Sequence, residues 1–302
     1  MFENILGNEK NKKILEKSIE LKKTSHSYIF WGTEGIGKNL IAREFAKKLL
    51  CLDEHSNNCR CKSCIEFDSN NNPDFSVIEP EEGLVKIDQI REMQRKIVEK
   101  PIISNKKVYI INEADTMKTE AQNCLLKTLE EPPEYVTIVL ICSNENNLLS
   151  TIKSRCTRMH FESIETEEIK KYLKENYPQE NINENIIDLA QGSIAKAIKL
   201  KENQNLYENL EKILIELPKK DLIDIIQMSE EIYKSKEEIN SILEYMNVLA
   251  LKLSKKNINY IKCIETIEET KKRLKANSNY DMCIDNMLFN IWEEINEKNN
   301  RS

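Results

Sequence analysis

The sequence predicts an α/β domain built on a parallel sheet, followed by regions made of helices alone. In the first half, short apolar runs at residues 27–31, 75–78, 108–111 and 136–142 alternate with helical stretches, a pattern typical of parallel strands joined by crossover helices. After Pro133 the chain contains only one glycine and two prolines, which favours helices throughout the second half.

The helical half divides into two parts. A helix start at Thr166, followed by Glu167 and Glu168, opens a small helical unit in which Gly192-Ser193 separates two helices. The last third carries apolar residues at helical spacing, at 239, 242, 243, 246, 249, 250 and 253 and at 280, 283, 284, 287, 288, 291, 292 and 295. We therefore expect three domains, at residues 1–162, 163–204 and 205–302. The apolar stripes fit either a self-contained core or an oligomer interface.

Composition excludes some classes of protein. The chain has 302 residues, 40% hydrophobic side chains and a net charge of -6, which is enough for sizeable cores but lacks the basic stripe of a protein that binds DNA alone. The longest apolar run, Val136–Cys142, is far shorter than the roughly 18 residues of a membrane helix. The N-terminus is polar rather than a signal sequence. We expect a cytoplasmic protein that does not associate with membranes.

A glycine-rich segment lies between the first expected strand and a helix expected at residues 40–50. It matches the phosphate-loop pattern GxxxxGK. Glycines let backbone N–H groups surround phosphate oxygens, the following helix N-terminus favours an anion, and the lysine adds positive charge. The alternative is a tight turn with an incidental lysine. The residues of this phosphate loop are Gly32, Thr33, Glu34, Gly35, Ile36, Gly37, Lys38 and Asn39.

The residues that would hold magnesium beside this loop are missing. After the lysine, a Ser or Thr hydroxyl normally ligates the metal, but this chain has Asn39. After the run at 108–111, hydrolysing P-loop proteins place an aspartate where this chain has Asn112. Glu113 stands where a water-activating acid would lie, but a base without an organised metal has little to act on. We expect no hydrolysis by this chain, while binding of ATP and magnesium stays open.

Four cysteines form a cluster in an insertion at residues 51–64. Cys51, Cys59, Cys61 and Cys64 follow the spacing C-x7-C-x-C-x2-C. Four thiolates suit tetrahedral zinc, and a closed four-cysteine site is structural because no position remains for water. We predict a structural zinc site, although the single residue between Cys59 and Cys61 is tight for a zinc knuckle, and a reduced loop without metal is the alternative.

Further motifs extend along almost the whole chain: HSYIF at 26–30, IDQIR at 87–91, LLKTLEEPP at 125–133, SRC at 154–156 and RLKANSNY at 273–280. Together with the phosphate loop and the cysteine cluster, their order and spacing resemble the bacterial clamp-loader AAA+ subunits of DNA polymerase III, the gamma/tau and delta-prime group. In LLKTLEEPP the leucines fit a core-facing side, whereas Lys127, Glu130 and Glu131 face solvent or, alternatively, DNA or a partner.

The resemblance implies a AAA+ domain, a helical lid at 163–204 and an oligomerising collar at 205–302. Within the group, gamma/tau ATPases keep the Ser/Thr, the aspartate and a lid arginine, where this chain has Asn39, Asn112 and Ala195. These departures resemble delta-prime. The resemblance also implies that Arg155 is an arginine finger acting in trans on ATP of a neighbouring subunit. The implied partners are gamma/tau and delta, with the sliding clamp and primed DNA reached through the assembly.

Other interpretations remain. Arg155 also fits a surface arginine paired with a local acid, a role that suits Arg158 better. The chain also fits an active gamma/tau-like ATPase that tolerates the two asparagines, or a stand-alone P-loop kinase with a helical substrate domain. A zinc-dependent DNA-binding module is a further alternative, which the negative net charge disfavours.

Overall fold

The computed structural model describes residues 2, 5–53, 59–178, 183–276 and 278–296. Residues 54–58 of the cysteine insertion and Asn277 of the RLKANSNY motif lie outside the described residues. The described chain divides into two compact units, Met1–Lys171 with Gly192–Ala195 and Tyr172–Gln191 with Lys196–Ser302. The three expected domains, at residues 1–162, 163–204 and 205–302, stay a prediction.

The first unit is built on a sheet of five parallel strands in the order β2-β3-β4-β1-β5 among the described residues. The strands are β1 Ser27–Trp31, β2 Phe75–Ile78, β3 Lys107–Ile111, β4 Val136–Cys142 and β5 Thr157–His160. The α/β fold class and the four expected strands are confirmed, with β3 starting one residue before the apolar run. Strand β5 was not expected, because only Met159 of its residues is buried and an edge strand needs no apolar run.

Helices cover both faces of this sheet. The helices of the unit are α1 Glu9–Glu20, α2 Lys38–Leu50, α3 Lys62–Asp68, α4 Ile87–Ile97, α5 Thr119–Glu130 and α6 Ser150–Lys153. Alternate residues of a strand point to opposite faces. Accordingly, Phe30 packs in a core with Phe45 of α2, and Ile29 packs in another core with Leu125 of α5. Helix α2 starts two residues earlier than expected, at Lys38.

From Thr166 onward, every regular element among the described residues is a helix, whereas strand β5 lies in the half that was expected to be helical. The helices from Thr166 onward are α7 Thr166–Asn176, α8 Glu184–Ala190, α9 Ile194–Glu202, α10 Gln204–Glu216, α11 Leu222–Tyr233, α12 Ile239–Ser254, α13 Tyr260–Lys275 and α14 Tyr280–Asn296. The helix start at Thr166 and the break at Gly192-Ser193 are confirmed. Most of the predicted apolar stripe residues, including Leu243 and Met287, lie in one buried core, so those stripes form a core of the chain itself. No helix in the described part has the length and apolar character needed to span a bilayer.

Candidate functional site

The phosphate loop connects β1 to α2 and needs glycine at defined positions. Gly32 has a φ of 147°, and a Cβ there would lie 2.2 Å from the carbonyl oxygen of Phe161. Gly37 has a φ of 92° and precedes the first residue of α2. An L-residue would be strained at either position. The loop therefore has the backbone curvature that brings N–H groups and a helix N-terminus to one place.

Lys38 is built into this loop. Its side chain is 6% exposed, and its Nζ donates hydrogen bonds of 2.6 Å to the carbonyl oxygens of both Gly32 and Thr33. Burial lowers the pKa of Lys38, while negative groups that include Glu34 and Asp115 oppose this shift. The loop's own backbone carbonyls therefore hold the Lys38 side chain in place.

The segment Gly192–Ala195 packs on the phosphate loop within the same unit. A Cβ on Gly35 would lie 2.1 Å from the Ser193 hydroxyl, and the N–H of Ala195 donates to the carbonyl of Gly35 at 3.5 Å. Ala195, which the sequence comparison sets against the lid arginine of gamma/tau-type ATPases, therefore lies beside the loop. Its methyl group brings no charge to a bound phosphate.

The acidic side of the site begins where β3 ends. Asn112 Nδ2 donates a 2.9 Å hydrogen bond to Oε2 of Glu79, the residue that follows β2. Carboxyl ends of neighbouring parallel strands meet at one edge of a sheet, which brings these two residues together. Asn112 thus places a neutral amide where hydrolysing P-loop proteins have a metal-holding aspartate. The amide N–H of Asn112 donates to the carboxylate of Glu79.

Glu113 lies next to this pair in a strained backbone conformation, with a φ of 45°. Burial raises the pKa of Glu113, and the negative charges of Glu34, Asp115 and Glu79 raise it further. Asp115 is engaged elsewhere, since its Oδ2 accepts hydrogen bonds from the backbone N–H groups of Ser143 at 3.2 Å and Asn144 at 2.9 Å. The phosphate loop and the two predicted residues after β3, Asn112 and Glu113, are therefore brought to one edge of the sheet.

The cysteine cluster forms a compact set of sulfur atoms. The Sγ atoms of Cys51, Cys59, Cys61 and Cys64 all lie within 4.8 Å of one another. Zn–S bonds of about 2.3 Å in a tetrahedron place sulfurs about 3.8 Å apart, so a small contraction of this set fits a zinc ion. Cys64 is buried, and the backbone N–H of Cys61 donates to Cys59 Sγ at 3.3 Å. The cluster is a candidate metal site.

Local hydrogen bonds prepare one of these thiols for ionisation. Burial alone would raise the pKa of Cys61, but hydrogen bonds from the backbone at Leu52 and Cys64 and from neighbouring thiols lower it to about 6. Burial raises the pKa of Cys64, and hydrogen bonds and negative charge from Cys51 and Cys61 raise it further. A divalent cation would reverse the shift at Cys64, since a coordinating thiol is deprotonated.

Arg155 follows α6 in the first unit, far along the sequence from the phosphate loop and the cysteine cluster. Its Nη2 contacts Oε1 of Glu130 at 2.6 Å, and its Nη1 donates to the carbonyl of Thr151 at 2.8 Å. The side chain of Arg155 is 34% exposed. Arg158 contacts Glu145 at 3.6 Å, so both arginines have a local acid as partner. The local pairing considered for Arg155 is therefore present.

Three contacts at these sites were not predicted from the sequence alone. Glu79 contacts Asn112, Glu130 contacts Arg155, and Ser193 packs on Gly35. Glu79 carried a usable signal, because it directly follows a strand that a parallel sheet places beside β3. Ser193 was noted only as part of a helix break, and no spacing rule links it to Gly35.

The sequence matches known proteins over much of its length. Residues 7–165 match the family described as DNA polymerase III, delta subunit. DNA polymerase III subunit delta' of Bacillus subtilis is 34% identical over 203 residues, 67% of this chain and 61% of that protein. DNA polymerase III subunit tau/gamma of Haemophilus influenzae is 34% identical over 207 residues, 66% of this chain and 30% of that protein. These matches span about three fifths and less than a third of the respective relatives.

One solved structure resembles the fold over nearly the whole chain. A DNA polymerase III gamma subunit-related protein from Thermotoga maritima has a TM-score of 0.52 and 20% sequence identity, covering 94% of this chain and 99% of that chain. At this identity the likeness concerns the fold alone. It agrees with a parallel-sheet domain followed by helices.

Proposed function

This chain belongs to the family described as DNA polymerase III, delta subunit, and we propose that it serves as a delta-prime-type subunit of a bacterial clamp loader. In this role it acts as a stator, a subunit that supports the ATPase subunits without hydrolysing ATP itself. Its partners are gamma/tau and delta subunits, and through them the sliding clamp and primed DNA.

One observation carries this proposal: the phosphate loop keeps a buried lysine, while both magnesium positions hold asparagine. Lys38 is 6% exposed within the loop, and Asn112 donates its amide to Glu79 at 2.9 Å. Magnesium that bridges phosphate oxygens requires oxygen ligands, usually a hydroxyl and a carboxylate, and neutralises charge in the transition state. A site without these ligands retains a phosphate-binding shape and loses the means of hydrolysis.

Arg155 supplies the chemistry of the proposed role. A guanidinium is permanently charged and planar, and it stabilises negative charge on phosphates when another subunit presents them. In other NTPases such an arginine raises turnover by about 10³–10⁵-fold. The exposure of 34% makes the Arg155 side chain accessible to a neighbouring subunit.

The remaining parts of the proposal are structural. The cysteine cluster holds zinc and closes the insertion at 51–64, because four thiolates within 4.8 Å suit tetrahedral coordination. Residues 163–204 act as a lid and residues 205–302 as a collar that joins related subunits. Exposed Leu222, Ile223 and Ile226 on α11 support a further contact surface in that region.

The test is turnover by the reconstituted complex of this chain with gamma/tau, delta, the sliding clamp and primed DNA. Arg155→Ala lowers DNA-stimulated ATP turnover while gel filtration shows an intact assembly. Arg155→Lys is the matched control: it keeps the charge, loses the planar fork and restores little of the rate. Unchanged turnover in the Arg155→Ala complex removes the finger role.

The competing candidate is an active gamma/tau-like ATPase. The support for it is that the chain is as identical to a tau/gamma relative as to a delta' relative, at 34%. Magnesium-dependent turnover by this chain without partners distinguishes it. Phosphoryl transfer to a small molecule by the same isolated chain identifies the kinase alternative.

A further inference from the structure

Arg155 is held by two kinds of contact. The first is neutral and local: its Nη1 donates to the carbonyl of Thr151 at 2.8 Å and to the hydroxyl of Ser154 at 3.3 Å. Both acceptors lie within four residues of Arg155. Both contacts therefore come from α6 and the residue that follows it.

The second contact is charged and comes from another helix. Glu130, the last residue of α5, places Oε1 at 2.6 Å from Nη2 of Arg155. The two side chains are 50% and 34% exposed. The carboxylate therefore neutralises the guanidinium at a place that solvent, and a docking partner, can reach.

A carboxylate and a phosphate oxygen are equivalent partners for a guanidinium, because each accepts charge-assisted hydrogen bonds with similar geometry. The neutral anchors at Thr151 and Ser154 remain available when the anion changes. Glu130 is the charged contact among the acceptors described for Arg155, and it is the contact that an incoming anion opposes by repulsion.

We propose that Glu130 is an internal counter-ion that competes with the phosphates of a neighbouring subunit's nucleotide for Arg155. This inference rests on the proposed function, in which Arg155 acts in trans. In the free chain, Glu130 satisfies the arginine. When a neighbour presents a nucleoside triphosphate, Arg155 exchanges Glu130 for phosphate oxygens while Thr151 and Ser154 keep hold of Nη1.

The size of the effect follows from the exposure of the pair. Half-exposed ion pairs are weak, so a triphosphate with several negative charges displaces one readily. Removing the competing carboxylate should shift the exchange equilibrium toward the phosphate-bound arginine by about two- to fivefold. Glu130 therefore modulates the rate of the assembly rather than switching it on or off.

The experiment compares Glu130→Gln with Glu131→Gln in the reconstituted complex. Glu131 is the adjacent exposed glutamate, so its variant controls for a general change of charge. We expect Glu130→Gln to raise kcat/KM for ATP by about two- to fivefold and Glu131→Gln to leave it unchanged. The double variant Glu130→Gln with Arg155→Ala should match Arg155→Ala alone, because the competitor has no effect without its arginine.

Two results would overturn this inference while leaving the proposed function intact. If Arg155→Ala lowers turnover but Glu130→Gln lowers it as well, Glu130 positions the arginine instead of competing for it. If Glu130→Gln behaves like Glu131→Gln, Glu130 has no role in the exchange. If Arg155→Ala itself has no effect, the finger role fails, and the competition fails with it.

Discussion

The amide of Asn112 donates a 2.9 Å hydrogen bond to the carboxylate of Glu79, across the carboxyl ends of two neighbouring parallel strands. This contact joins the predicted acidic position to an acid that the sequence alone did not single out. The Asn112 amide is the donor, so a carboxylate at position 112 would replace this hydrogen bond with charge repulsion. The asparagine at the position where hydrolysing P-loop proteins place an aspartate thus fits its surroundings.

Replacing Asn112 by Asp should destabilise the chain at neutral pH. The substitution removes the hydrogen bond and places two carboxylates against each other, for a loss of about 1 kcal/mol in the free energy of unfolding. Asn112→Ala, the control, loses the hydrogen bond without the repulsion. Its free energy of unfolding should lie between those of the original chain and Asn112→Asp. Urea denaturation measures all three, and an Asp variant as stable as the original chain would refute this account of the pair.

Glycine at position 32 should be indispensable for packing. A Cβ there would lie 2.2 Å from the Phe161 carbonyl oxygen at a φ of 147°, so Gly32→Ala should lower the free energy of unfolding by about 2–4 kcal/mol. Gly83 has a φ of 79° but open space around a Cβ, and Gly83→Ala should lose only about 1–2 kcal/mol. Equal losses in urea denaturation would mean that the contact with Phe161 is not the cause.

The cysteine cluster should bind zinc in the purified chain. We expect about one zinc ion per chain by elemental analysis, and Cys64→Ser should remove it and lower Tm. Cys124→Ser is the control, since Cys124 lies outside the cluster, and its zinc content should be unchanged. A chain purified without added chelator that contains no zinc would contradict the proposed structural metal.

Glu113 should make stability depend on pH. Burial and neighbouring negative charges raise its folded pKa, so its contribution is fully present below the unfolded pKa of about 4.3 and is lost as pH rises through the folded pKa. Relative to the original chain, Glu113→Gln should therefore be more stable at neutral pH, with the difference vanishing in acid. Glu134→Gln, at an exposed position, is the control. Identical unfolding curves for Glu113→Gln and the original chain at every pH would show that folding does not raise the pKa of this carboxylate.

Much of the fold was predictable because its signals are local. The apolar runs of β1 and β4 and the glycines before Lys38 identify a strand, a turn and a helix without reference to the rest of the chain. Strand β5 has no such signal, since its edge position leaves Thr157, Arg158 and His160 exposed. It is a strand because it pairs with β1, a contact that the sequence pattern does not encode.

The residues of the candidate sites were predictable from the sequence, but several of their contacts were not. The four cysteines are close in sequence, so their spacing alone predicts that they meet. Glu130 ends α5 and Arg155 follows the end of α6, so their contact depends on how these two segments pack against each other. The same holds for Ser193 on Gly35, because packing between distant segments determines which atoms meet.

The most direct test of the central claim is ATP hydrolysis by the purified chain alone, measured with and without magnesium beside a Lys38→Ala control. We expect turnover equal to that of Lys38→Ala under both conditions, because the site lacks the hydroxyl and the carboxylate that normally hold the metal. Magnesium-dependent turnover that disappears in Lys38→Ala would contradict it, since the activity would then belong to this phosphate loop.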